Sequence, residues 1–119
     1  MKPIHVYLDD LRPCPKGFVL AKNMEECVEL LTSCEVDILS LDHDLGWDEP
    51  TGYDVAKYIV EHRLYPKVIY LHSANPVGRM NMYQLLYRYK PDHVKIYNSP
   101  VPEHVLEQIA RSADLVNEQ

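Results

Sequence analysis

Val36-Asp37-Ile38-Leu39-Ser40-Leu41-Asp42-His43-Asp44-Leu45-Gly46 opens as a short, mainly apolar run and closes on carboxylate, imidazole and carboxylate before a glycine. A short apolar run of this kind is what a parallel strand covered on both faces requires. A buried strand that ends in titratable groups delivers them to the rim of its sheet, where ligands sit in open α/β architectures. Two further segments repeat the grammar. His5-Val6-Tyr7-Leu8 runs into Asp9-Asp10, and Val68-Ile69-Tyr70-Leu71 runs into His72-Ser73-Ala74-Asn75.

Working outward, strand and helix patterns alternate. Residues 4–9 read as strand one. Leu11-Arg12-Pro13-Cys14-Pro15-Lys16-Gly17 is barred from a helix interior by two prolines and a glycine, and Phe18-Val19-Leu20-Ala21 reads as a short second strand. Asn23 can cap a helix, with Glu26 completing a capping box and Met24, Cys27, Val28 and Leu31 as its apolar stripe. After the opening stretch and the surface loop Trp47-Asp48-Glu49-Pro50, Thr51 can cap a second helix that turns Val55, Ala56, Ile59 and Val60 inward. A fourth strand over 67–72 and a third helix over about 77–89, burying Met82, Leu85, Leu86 and Tyr89, come next. A fifth strand at 94–97 and a last helix opened by Pro102 complete the chain, with Val105, Leu106, Ile109 and Ala113 inward. This alternation predicts a three-layer α/β sandwich around an open parallel sheet of five strands, with the first crossover helix missing.

At 119 residues and 46% hydrophobic content, the chain reads as a single domain, residues 1–119, with enough apolar surface for a core. The net charge of −6 argues against a general polyanion binder, so no duplex DNA is expected as partner, while a local basic pocket stays compatible. Three cysteines, Cys14, Cys27 and Cys34, form no CxxC pair and read as reduced thiols of a cytoplasmic protein. No apolar run approaches the ~20 residues of a membrane span, and no signal peptide is recognisable.

The run from Phe18 to Gly52 resembles part of a response-regulator receiver domain, with Asp9-Asp10 as its acidic pair and Asp42 at its phospho-acceptor position. Ser73-Ala74 match the switch hydroxyl and the small residue after it. The resemblance implies the flavodoxin-like strand order 2-1-3-4-5. Where a receiver carries a lysine at the end of its fifth strand, this chain has Asn98-Ser99-Pro100. Four blocks are similar to a divergent branch, the cyclic-phosphate processing receiver-like domains: Leu8-Asp9-Asp10-Leu11-Arg12-Pro13, Ser40 to Gly46, Thr51-Gly52-Tyr53-Asp54, and His72 to Arg79. That resemblance implies processing of a cyclic phosphate on a nucleotide or RNA end.

Opening a cyclic phosphodiester needs a base, an acid, and cations or donors that stabilise the charged transition state. His43 and His72 suit the acid–base pair, and on neighbouring strand ends they would straddle one phosphate. Asp42 joins them as a candidate catalytic group. Arg12 and Arg79 fall at the same rim as candidate phosphate clamps, with Ser73 and Asn75 as further phosphate-binding candidates beside a helix start. Asp9, Asp10 and Asp42 either hold Mg²⁺ or another divalent cation, or cap turns and orient a histidine. Trp47 is a candidate lid or base contact, and Tyr83 with Tyr87 form a packing or homodimer face, or a base-stacking pair. The competing class is a degenerate receiver that acts as a binding module without catalysis.

Overall fold

The computed structural model describes residues 2–117. Its elements are β1 (Ile4–Leu8), β2 (Phe18–Ala21), α1 (Met24–Ser33), β3 (Val36–Leu41), α2 (Gly52–His62), β4 (Val68–Leu71), α3 (Pro76–Tyr89), β5 (Lys95–Tyr97) and α4 (Glu103–Asn117). The strands form one sheet in the order β2-β1-β3-β4-β5. Every pairing is parallel. This is the open parallel sheet expected from the alternation, in the receiver-like, flavodoxin-like strand order that the family resemblance implied.

Strand periodicity divides the core in two. Val6, Leu8, Leu39, Leu41, Ile69 and Leu71 face α1, α2 and α3, where they meet Cys27, Ile59, Met82 and Leu86. Tyr7, Phe18 and Tyr70 face the other way, with Ile38 and Val68, and are covered by Val105, Leu106 and Ile109 of α4. Three helices therefore cover one face and one helix covers the other.

The first crossover explains the asymmetry. Residues 9–17 carry no helix, yet β1 and β2 still pair in parallel. Nine residues can span up to ~30 Å when extended, comfortably more than a five-residue strand needs to be retraced. Pro13 and Pro15 hold the segment open, and its last residue, Gly17, takes a φ of +90°. A Cβ there would lie 2.6 Å from Ile109 Cγ2, so only glycine lets α4 rest on this strap. A Lys16–Asp114 ion pair fastens the same contact at the surface.

The caps follow the sequence with small shifts. Asn23 Oδ1 accepts from Glu26 N at 2.9 Å, but Glu26 reaches back to Lys22 N rather than to the cap itself. Thr51 and Asp54 form a complete capping box at α2. One core assignment is corrected. Tyr89, expected inside, is 53% exposed, because Met82 and Leu86 already fill the space over the sheet. Its ring instead lies under the Arg88 guanidinium at 5.4 Å.

The α2 cap generates a test. Hydrogen bonding from Thr51 N–H, with Lys57 nearby, outweighs partial desolvation and holds the Asp54 carboxyl below its ordinary range. A carboxyl depressed by folding stabilises above its unfolded pKa and loses that contribution as pH falls through its folded value. Thr51→Ala is expected to cost about 1 kcal/mol in urea unfolding. The stability gap between the native protein and Asp54→Asn should be widest at neutral pH and close below about pH 4. A gap of constant size across that range contradicts the assignment.

Candidate active site

Leu8, Leu41 and Leu71 stand in one row across three strands, since Leu8 pairs with Leu41 and Leu41 with Leu71. The next residue on each strand is therefore Asp9, Asp42 and His72. The ladder runs on by one more rung, with Asp42 N donating to Leu8 O at 3.1 Å and His72 N to Leu41 O at 3.0 Å. Strand phase alone places the three titratable groups side by side at the carboxyl edge of the sheet.

Asp9 is the node. Its Oδ1 accepts from the backbone N–H groups of Leu11 (2.8 Å) and Arg12 (2.9 Å). Its Oδ2 accepts from Arg12 Nη1 at 2.9 Å and lies 2.9 Å from His72 Nε2. Burial alone would push this carboxyl up, but those four donors outweigh it and hold the pKa at about 2. Asp9 is thus an anion, and His72 must give it a proton-bearing Nε2.

His72 is buried and stacked on Tyr7, with ring centroids 4.3 Å apart. Its Nδ1 meets Ser40 Oγ at 2.6 Å. Desolvation pulls the imidazole below its usual pKa despite the Asp9 hydrogen bond, so the ring is neutral near pH 7. With Nε2–H directed at Asp9, Nδ1 is the acceptor and the Ser40 hydroxyl donates to it. Both nitrogens of His72 are thereby engaged within the protein.

Asp42 accepts its neighbour's N–H, His43 N, at 2.8 Å, and its other oxygen lies 3.2 Å from Arg12 Nη1. Burial pushes its carboxyl up and the Asp9 charge adds to that, against opposing pulls from His43 N–H, His72 and Arg12. Arg12 therefore bridges two carboxylates, as their internal counter-ion.

His43 points to the opposite side of the sheet edge. Its Nδ1 lies 2.8 Å from Asp44 Oδ1, and Nε2 has no partner among the described residues. Asn75 caps α3 through Gly78 N at 3.0 Å and donates its amide to Asp44 at 3.3 Å. The His43 ring sits on the first turn of α3, where a Cβ on Gly78 would come within 2.4 Å of it. Ser73 Oγ accepts from Asn75 N at 3.0 Å, which fixes the loop before the helix. Arg79 turns away, giving Nη1 to Ser73 O at 2.9 Å and Nε to Asn98 Oδ1 at 3.0 Å. The expected site residues thus form two linked groups, Asp9–Arg12–Asp42–His72 and His43–Asp44–Asn75, while Arg79 braces β4 against the end of β5.

A cavity of about 310 Å³ lies between them, lined by Asp9, Asp10, Arg12, Asp42, Asp44 and Ala74 among others. Ligand atoms of Asp9, Asp42 and His72 lie within 4.8 Å of one another, and Asp10 stands outside this trio, at the cavity wall. The two carboxylates fit a divalent cation in charge and donor type, while both nitrogens of His72 are already engaged by Ser40 and Asp9. The position between Asp9 and Asp42 is spanned by Arg12, whose side chain is 42% exposed. Ser40, Tyr7 and Gly78 were not singled out by sequence. A hydroxyl inside an apolar strand, two residues before Asp42 and so on its face, was the available signal for Ser40.

Residues 4–88, from β1 nearly to the end of α3, match the family described as the cyclic-phosphate processing receiver domain. The chain belongs to that family. A comparison with curated proteins finds no match. Among solved structures, a yeast Spc42 trimeric coiled-coil segment fused to another structure is 18% identical with a TM-score of 0.55, covering 99% of this chain and 83% of that one. The Salmonella typhimurium response regulator RcsB is 13% identical with a TM-score of 0.45, covering 93% of this chain and 68% of that one. The first of these likenesses concerns the fold alone. Among the described residues, no helix of this receiver domain is long and apolar enough to cross a membrane.

The Gly78 contact can be tested directly. Gly78→Ala should displace the His43 ring, shift its imidazole resonances and cost about 1–3 kcal/mol, the usual range for overfilling a tight contact. The His72 resonances, on the other face, should stay in place. Unchanged His43 signals would show that the ring does not lie against α3.

Proposed function

We propose that this domain hydrolyses a cyclic phosphate on a nucleotide or RNA end, in the cavity between Asp9, Arg12, Asp42 and Asp44. The observation that carries the reading is the state of His43. One ring nitrogen is anchored by Asp44, the other is free, and both chain neighbours of His43 line the cavity. An oriented imidazole with one unpaired nitrogen is the arrangement a proton-transfer group needs.

In the reaction a water oxygen bonds to phosphorus and one ring P–O bond breaks. The water loses a proton and the departing sugar oxygen gains one. We assign the first transfer to the Asp42 carboxylate, which lines the cavity, and the second to His43 Nε2, whose ring rests on α3 behind Asp42 and Asp44 and has to turn toward the cavity to make it. His72 is assigned as a positioning residue, since its nitrogens are taken by Ser40 and Asp9 and it acts through the carboxylate it holds. Arg12 is the phosphate ligand, and Arg79 supports the loop that carries Ser73 and Asn75.

Electrostatics adds a requirement. Four carboxylates and one guanidinium line the cavity, so a phosphate anion entering alone meets net repulsion. Asp9 and Asp42, with Asp10 at the wall, are the groups that would hold a divalent cation, and His72 orients Asp9 beside them. When bound, the cation supplies charge neutralisation and polarises the phosphoryl oxygens.

With Mg²⁺ present, a panel of 2′,3′- and 3′,5′-cyclic nucleotides should yield an opened monoester from at least one member. His43→Ala should cut turnover by about 10²–10⁴ with the fold intact by circular dichroism. Arg12→Ala should mainly raise KM, and a chelator should abolish phosphate binding. If no member of the panel is opened by the folded protein, the hydrolase reading fails. One observation favours the phospho-regulated binding module as a second reading. Arg79 donates to Asn98, which stands in the sequence where a receiver keeps its lysine, and to Ser73 O beside the switch position. Phosphorylation of Asp42 by a small phosphodonor, with no cyclic phosphate opened, would decide for it.

A further inference from the structure

Three large apolar side chains are exposed on the segments that carry the site, and Leu11 among them lines the cavity. Leu11 is 87% exposed, Trp47 94% and Val77 71%. Each is adjacent in sequence to a group of the site. Leu11 lies between Asp10 and Arg12, and Val77 precedes the Gly78 that carries the His43 ring. Trp47 follows Gly46, where an added Cβ would sit 3.5 Å from Asp10 Oδ2. The backbone on both sides of Trp47 is left-handed, with φ of +112° at Gly46 and +61° at Asp48. Glycine and aspartate both tolerate this region, so the turn holds without strain and leaves the indole exposed one residue from Gly46, which lies against Asp10 of the cavity wall.

We propose that Trp47 is the platform on which the base of the substrate stacks, so that the substrate class is a nucleobase-bearing cyclic phosphate with an unpaired base. The inference rests on the hydrolase reading for the cavity and adds what lies outside it. A π-face recognises any base without hydrogen-bond readout, and a base inside a duplex offers none. An anionic membrane is a poor occupant for the same rim, since Asp10, Asp44, Asp48 and Glu49 surround it and the chain carries a net charge of −6.

Trp47 is the only tryptophan of the chain, so its emission reports on the platform without turnover. The protein with Mg²⁺ is titrated with adenosine 3′-monophosphate and, separately, with inorganic phosphate. Emission should be quenched by the nucleotide and not by phosphate. In parallel, kcat/KM is measured for adenosine 2′,3′-cyclic phosphate and for a five-membered cyclic phosphate lacking a base. Trp47→Ala should lower the preference for the base-bearing substrate by about 10–100-fold, the range of one base–aromatic stack, and Trp47→Phe should restore most of it. Quenching by the nucleotide without hydrolysis of either substrate sustains the platform and sinks the hydrolase reading. Turnover indifferent to the base, with no quenching, overturns the platform and leaves the hydrolase reading standing. Emission that follows protein concentration instead of nucleotide assigns the rim to a second copy of the chain and also overturns it.

Discussion

The Asp9–Arg12–Asp42–His72 group at the carboxyl edge of the sheet hangs on one buried carboxylate. Asp9 is 1% exposed and gathers two backbone N–H groups, a guanidinium nitrogen and an imidazole nitrogen. A buried anion is tolerable only when so satisfied, and each partner is fixed in turn by serving it. The two backbone donors begin the strap after β1, Arg12 extends the charge to Asp42, and His72 is drawn onto Tyr7. Removing this carboxylate would leave Arg12 facing Asp42 alone and the buried His72 without its acceptor. The site is a consequence of the network that terminates β1, not an addition to it.

That network also separates roles that look equivalent on paper. Asp9 and Asp42 are neighbours on the same edge, yet burial and partners drive their carboxyls in opposite directions. His43 and His72 follow neighbouring strands, yet one ring is sealed between Ser40 and Asp9 while the other keeps a nitrogen free. The difference comes from strand alternation. Asp42 shares the Ser40 face, which looks toward α4, and His43 comes one residue later and meets α3.

Strand alternation, helix caps and the helix-free first crossover were legible in the sequence because each is local. Asn23, Thr51 and Asn75 announce their helices, and two prolines with a glycine forbid one over 11–17. That the strand-end groups share one edge was legible too, because parallel strands put their carboxyl ends on one side, but their division into two groups, with His43, His72, Asn75 and Arg79 outside the cavity lining, was not. What was not legible depends on register and on which partner wins. Nothing in the spacing says that Arg12 closes back on Asp9 and Asp42, that Arg79 is spent on Ser73 O and Asn98, or that Ser40 completes the surroundings of His72. Tyr89 was misjudged because helical periodicity counts faces, whereas the sheet under the end of α3 was already covered.

The strap between β1 and β2 also bears on how the chain finds its fold. Parallel strands ordinarily meet only after a helix-bearing connection of a dozen residues or more. Here nine residues suffice, and halving a connecting segment lowers its closure cost by roughly 0.6 kcal/mol. The β1–β2 pair is therefore the most local parallel contact in the molecule, and low sequence separation favours early formation. Asp9 and Arg12 lie within that segment, so the residues that anchor the site belong to the part of the chain with the shortest search to its native pairing.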